Sequence, residues 1–156
     1  MENEMRALLL SQVAEVELVY KSKVKASQRP FVKDSKDCHD IFRQLWDKGK
    51  INLVEEFKVL FLNKANRVVG FLEVSTGGIT GTVADPRIIL AGAIKVLACN
   101  IVLAHNHPSG NLLPSKADEG LTQKIKEACR YFDINVLDHI ILNDETYYSF
   151  TDEGLI

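Results

Sequence analysis

A chain of 156 residues is long enough to bury a full core without disulfides or a structural metal, and short enough that one domain, residues 1–156, is the expected organisation. Its 19 basic and 21 acidic residues leave a net charge of -2, which excludes the strongly basic field of a dedicated nucleic-acid binder, and no run of like charge reads as an interaction tail. Cys38, Cys99 and Cys129 are odd in number and lack a Cys-x-x-Cys spacing, so they read as reduced, mostly buried thiols and exclude a disulfide framework or a thiolate metal knuckle.

The chain opens on "MENEMRALLLSQV", where the apolar stretch Ala7 to Leu10 is too short for a signal-peptide core. No apolar run approaches bilayer-spanning length, so no membrane association and a cytoplasmic location are expected. "EVELVYKSKV", Glu15 to Val24, alternates apolar and polar residues and predicts a half-buried strand. An aperiodic stretch with Lys25, Arg29, Pro30 and Lys33 reads as a loop. In "DSKDCHDIFRQLWDKGK", Cys38, Ile41, Phe42, Leu45 and Trp46 fall at helical spacing and predict a helix that buries one face. "EEFKVLFLN" and "RVVGFLEVS", separated by the polar "KANR", predict a hairpin, and the "STGGITG" that follows lacks the Lys-Ser/Thr ending of a phosphate loop and reads as a turn or bulge. Asp85-Pro86 is a helix entry, and "PRIILAGAIKVLACN" is apolar almost all round, which predicts a largely buried helix. A short apolar strand "NIVLAHNH", an amphipathic helix "SKADEGLTQKIKEACRYF", a strand "INVLDHIIL" and a last short strand "YYSF" complete the chain. Strands alternating with helices predict an α/β sandwich with helices packed on a mixed sheet.

The chemistry concentrates in "AHNHPSGNLLPSKAD", residues 104 to 118. His105 and His107 lie two apart at a strand end, so both imidazoles project from one face while Asn106 points the other way. Ser115 then starts a helix with Asp118 in its first turn. Two readings stand side by side. Ser115-x-x-Asp118 is a capping arrangement favoured by unpaired N–H groups and the helix dipole; His105, His107 and Asp118 are also three ligands of a metal centre with a fourth position for water. A two-histidine, one-carboxylate set suits zinc, and also Fe(II).

Taken jointly, His-x-His, seven residues, Ser, two residues, Asp resembles the signature of the JAMM metalloproteases, the JAB/MPN+ domains. "AHNHPSG", "PSKAD" and "VLDHIIL" resemble the RadC branch of that family, over residues 53–156 most clearly, with 1–52 supplying an N-terminal strand and helix on the same domain. The resemblance implies a three-layer α-β-α sandwich of the cytidine-deaminase-like type, a zinc ion held by His105, His107 and Asp118, and a Ser115 hydroxyl that helps stabilise a tetrahedral intermediate. One departure is Asn111, where this branch often has Asp. The family also uses a glutamate base from an upstream strand; "E-x-F" before an apolar strand matches Glu55, and strand parity agrees, since Glu55 shares its face with Phe57, Val59 and Phe61 whereas Glu56 shares Lys58's face and is expected to be solvated. Asp138-His139 is expected to supply either a hydrogen bond that fixes a ligand tautomer or an ordinary buried contact.

The function expected from this set is zinc-dependent hydrolysis of a peptide or isopeptide bond in a peptide or protein substrate. Deamination is excluded by the lack of H-x-E and P-C-x-x-C. The other classes are a DNA-repair-associated nucleic-acid-binding module, weakened because the helix-hairpin-helix domain of longer RadC-like proteins is not seen, and a catalytically silent interaction domain, against which the intact motif argues. Lys21, Lys23, Lys25, Arg29 and Lys33 are candidate phosphate contacts, though such residues usually form a solvated loop. Nothing in the sequence speaks to the oligomeric state.

Overall fold

A computed structural model describes residues 1–13, 17, 19–78 and 83–156, the side chains of 8–11 excepted. In chain order the elements are α1 (Glu2–Gln12), α2 (Ser35–Leu45), β1 (Glu56–Leu62), β2 (Val68–Thr76), α3 (Pro86–Lys95), β3 (Asn100–Asn106), α4 (Lys116–Arg130), β4 (Asn135–Leu142) and β5 (Tyr147–Ser149), with a short 3-10 turn at Ala26–Gln28. The strands form one sheet in the order β2-β1-β3-β4-β5. Only β3 and β4 are parallel, as expected for two strands joined through a helix, α4.

Period-two alternation divides the core between the sheet faces. Phe57, Val59, Phe61, Ile101 and Leu103 pack against Ile89 and Ala93 of α3 and Ile125 and Cys129 of α4. Leu60, Leu62, Val102, Ala104, Ile140 and Leu142 pack on the opposite face against Cys38 and Phe42 of α2 and Trp46 at its C-cap. The expected three-layer α-β-α sandwich is therefore the architecture. In β4 the register slips by one between the Ile101 and Val102 pairings, so Val136 opposes Ile101 and Asp138 opposes Val102. This bulge turns Asp138 toward α2 and His139 toward α4, the face that carries His105.

The helix entries follow local chemistry. Asp34 accepts from the Asp37 N–H, Asp85 accepts from the Arg87 N–H with Pro86 at the first helical position, and each satisfies a donor the first turn leaves unpaired.

Three expectations change. Of the N-terminal strand expected over Glu15 to Val24, residues 15, 16 and 18 lie outside the described residues, and residues 19–24 are exposed and form no strand. The outer edge of β2 is met instead by the segment before α2: the Val68 N–H donates to the Pro30 carbonyl and Phe31 bridges Arg67. Tyr20 reaches this edge only through its hydroxyl, which donates to the Val69 carbonyl. Second, α3 buries one face rather than its whole circumference; Ile89 and Ala93 are fully buried while Ile88 and Ile94 are 46% and 40% exposed, because this outer layer has nothing packed over it among the described residues. Third, the opening segment, read only as too short for a leader, forms α1. Of "STGGITG", residues 79–81 lie outside the described residues; Gly77 continues the hairpin by donating to the Glu55 carbonyl. Among the described residues no helix is long and apolar enough to cross a membrane, and all three cysteines are free, two of them buried.

Candidate metal centre

The C-terminal end of β3 delivers the two histidines. His105, opposite Phe57 of β1, is 1% exposed and lies parallel to the Phe57 ring, centroids 5.9 Å apart. His107 follows the strand end, held by its N–H donating to the Leu142 carbonyl. The Nε2 atoms of the two rings stand 2.9 Å apart, and Asp118 Oδ1 lies 3.4 Å from His105 Nε2. One ligand atom from each of the three residues falls within 4.8 Å of the others.

The cap and the ligand readings of Ser115 and Asp118 hold together. Asp118 Oδ2 accepts from the Ser115 N–H at 2.7 Å and from its hydroxyl at 2.6 Å, while the Asp118 N–H donates back to Ser115 Oγ at 3.1 Å. This capping box occupies Oδ2, which also lies 4.0 Å from His107 Nε2, and leaves Oδ1 turned to His105. The same contacts that start α4 therefore aim its first-turn carboxylate.

The loop between β3 and α4 orients His107. Its Nδ1 is 2.5 Å from the Asn111 carbonyl, which can only accept, so Nδ1 carries the hydrogen and the neutral ring presents a bare Nε2. The turn from His107 to Gly110 closes by a Gly110 N–H bond to the His107 carbonyl, and Gly110 sits at φ 81, which a side chain would strain. Asn111 Oδ1 accepts from the Leu113 N–H, a role an Asp would perform equally, so the departure at this position leaves the turn intact.

Burial holds His105 down at about 4, even though the Asp118 carboxylate pulls the other way; His107 adds to the lowering. Burial likewise holds His139 well below the usual imidazole range, with His105 and His107 adding to it. A neutral His105 facing a carboxylate is in the protonation state a cation requires. The donor set fits a metal: His105 Nε2 faces both His107 Nε2 and the Asp118 carboxylate, and such acceptors converge only around a proton or a cation.

Glu55, Ser115 and His107 line one open cleft of about 510 Å³ with Pro108, Ser109, Asn111, Leu113 and Pro114. Glu55 immediately precedes β1. Glu56 departs from expectation. It is 1% exposed rather than solvated, because the α2 side of the sheet is also covered, and its carboxylate lies 3.2 Å from Lys58, itself 2% exposed and 2.7 Å from Glu73.

Of the Asp138-His139 pair, His139 reaches the centre: its Nε2 is 2.8 Å from His105 Nδ1. Asp138 does not; it accepts from Ser149 Oγ at 2.6 Å and from the Thr151 N–H at 3.0 Å and so ties β4 to the C-terminal segment. Two contributors escaped the sequence reading. Thr122 lies 2.6 Å from His139 Nδ1; its place four residues after Asp118, on the same face of a helix, was the available signal. Asn106 does point away from the histidines, and its fully buried amide accepts from the Glu56 N–H and donates to the Ile51 and Val54 carbonyls, fastening the segment that carries Glu55.

A family model described as a RadC-like JAB domain matches residues 32–155. Among similar proteins, a UPF0758 protein of Flavobacterium johnsoniae is 48% identical over 101 residues, 65% of this chain and 44% of that protein. A UPF0758 protein of Acidovorax ebreus is 37% identical over 144 residues, 92% of this chain and 60% of that protein. The UPF0758 protein YfjY of Escherichia coli is 39% identical over 102 residues, 65% of this chain and 64% of that protein. The matched regions thus span about half the length of the first two relatives.

Proposed function

Because the chain belongs to the RadC-like JAB-domain family, we propose that it is a zinc-dependent hydrolase that cleaves a peptide or isopeptide bond in a cytoplasmic peptide or protein substrate. The observation that carries this reading is the convergence of His105, His107 and Asp118 from a strand end and a helix start. Two imidazoles and one carboxylate are the protein ligands of hydrolytic zinc sites that keep a position open. Bound there, zinc would acidify a water molecule and polarise the scissile carbonyl.

The chain's own groups supply the remaining steps. His105 and His107 act as neutral ligands, oriented through their Nδ1 atoms. Asp118 contributes charge through Oδ1 while its cap keeps it in place. Glu55 accepts a proton from the attacking water and delivers it to the leaving amine. Ser115, exposed on the same cleft, turns its hydroxyl from Asp118 to the carbonyl oxygen as negative charge develops there.

The test is metal content together with peptide hydrolysis. Purified protein should hold about one zinc per chain, and His107→Ala should lose it while staying folded. Glu55→Gln should retain zinc and lose hydrolysis, since an amide cannot take the proton. Stoichiometric zinc in a His105/His107 double alanine variant would refute the assignment of the centre, and full hydrolysis by Glu55→Gln would refute the assignment of the base.

A further inference from the structure

The geometry points to Thr122 and His139 as a positioning relay that locks His105 into the tautomer whose Nε2 is free to bind a metal. The relay runs from Asp118, through α4 and β4, to β3. Thr122 Oγ1 is 2.6 Å from the Asp118 carbonyl oxygen and 2.6 Å from His139 Nδ1, and His139 Nε2 is 2.8 Å from His105 Nδ1. Thr122, His139 and His105 are 3%, 0% and 1% exposed, so water does not compete for these contacts.

Hydrogen-bond direction follows from the fixed end. A carbonyl oxygen only accepts, and two oxygens 2.6 Å apart need a hydrogen between them, so the Thr122 hydroxyl donates to Asp118. Toward His139 that hydroxyl can then only accept, which places a hydrogen on His139 Nδ1. The neutral His139 ring has a lone pair on Nε2, and this accepts from His105 Nδ1–H. His105 Nε2 is left bare toward His107 and Asp118. Run backwards, the same chain would put the hydrogen on His105 Nε2, aimed at His107 Nε2 only 2.9 Å away, and close the centre by a hydrogen bond between its own ligands.

The relay also couples ligands from two elements. The carbonyl that sets its direction belongs to Asp118, whose carboxylate is itself a candidate ligand, so seating α4 correctly and presenting the right His105 nitrogen are one event. His107 is oriented separately, by the Asn111 carbonyl. Its tautomer is therefore an internal control.

The inference rests on the metal reading only for its second measurement. In metal-free protein, 15N-resolved imidazole spectra should show His105 and His139 as Nδ1–H tautomers with bare Nε2, and His107 with a hydrogen on Nδ1. Thr122→Val removes the hydroxyl at nearly constant shape; it should shift His105 toward the Nε2–H form, leave His107 unchanged, and weaken zinc binding, measured by competition with a chelating dye, by about 10–100-fold. Thr122→Ser should restore both. A wild-type His105 found as Nε2–H, or a Thr122→Val variant with unchanged His105 tautomer and zinc affinity, overturns the relay. Wild type that shows the expected tautomers, lost in Thr122→Val and regained in Thr122→Ser, but takes up no zinc supports the relay and refutes the metal reading instead. A folded Thr122→Ser of wild-type affinity also separates the relay from a packing role, which a shortened side chain would disturb.

Discussion

Asn106→Leu isolates what lies behind the catalytic face. The Asn106 side chain accepts from the Glu56 N–H at 2.7 Å and donates to the Ile51 carbonyl at 2.7 Å and the Val54 carbonyl at 2.8 Å. Leucine has similar bulk and none of these bonds. Glu56 and Ile51 are 1% and 2% exposed, so their orphaned groups face little water, whereas Val54 is half-buried and recovers some. An unsatisfied buried group costs about 1–3 kcal/mol, which puts the loss near 3 kcal/mol with the Val54 carbonyl discounted. For a chain of this length that corresponds to a melting temperature lower by roughly 6–12 °C. Thermal unfolding followed by circular dichroism, on metal-free and zinc-loaded protein, gives the first readout. The second is hydrolysis, which should fall more than zinc content, because Glu55 sits between Val54 and Glu56, two of the three released residues, while neither histidine loses a bond. A melting temperature within about 2 °C of wild type with activity retained would show that the 51–56 segment is held by its own packing and that Asn106 does not position Glu55.

Gly92→Ala should lower stability even though alanine favours helices: its Cβ would meet Phe61 Cζ at 2.7 Å and Leu72 Cδ2 at 3.2 Å, an overpacking cost of about 1–3 kcal/mol against about 1 kcal/mol of helix propensity regained. A higher denaturation midpoint would show that the Phe61 ring has room to turn. Acidification should destabilise the metal-free protein. Burial holds the folded His105 below its ordinary 6.5, so its contribution is complete above 6.5 and is lost as pH falls toward the lowered folded value. His139 acts in the same sense, while Asp138, whose carboxyl burial raises, opposes it at the acid end. Denaturation midpoints equal at pH 7.5 and pH 5 would contradict the buried, neutral state of both rings.

Local periodicity carried most of the architecture. The hairpin, the helices with Asp34, Asp85 and Ser115 at their entries, and the strand that ends in His105-x-His107 are each specified by side chains a few residues apart, because caps, turns and alternation act through neighbours in the chain. The expectation that Glu55 shares the Phe57 face rests on the same alternation, and the fold brings Glu55 to the cleft that His107 lines. The strand expected over Glu15 to Val24 shows the limit: alternation says which residues would share a face, but a strand needs an edge to pair with, and the start of the β2 edge is met by Pro30 and Phe31. The exposure of Ile88 and Ile94 and the burial of Glu56 beside Lys58 have the same origin, since burial depends on which layer covers an element.

The centre divides along this line. His105, His107, Ser115 and Asp118 were legible as a group because strand end, turn and helix start follow one another within 14 residues of sequence, from 105 to 118. The bulge that turns His139 rather than Asp138 toward His105, the seat of Thr122 beneath it, and the amide of Asn106 behind Glu55 were decided only when β1, β3, β4 and α4 packed together. Those contacts join residues 17 to 55 positions apart, and a hydrogen bond has no signature in sequence until the fold brings its donor and acceptor within reach.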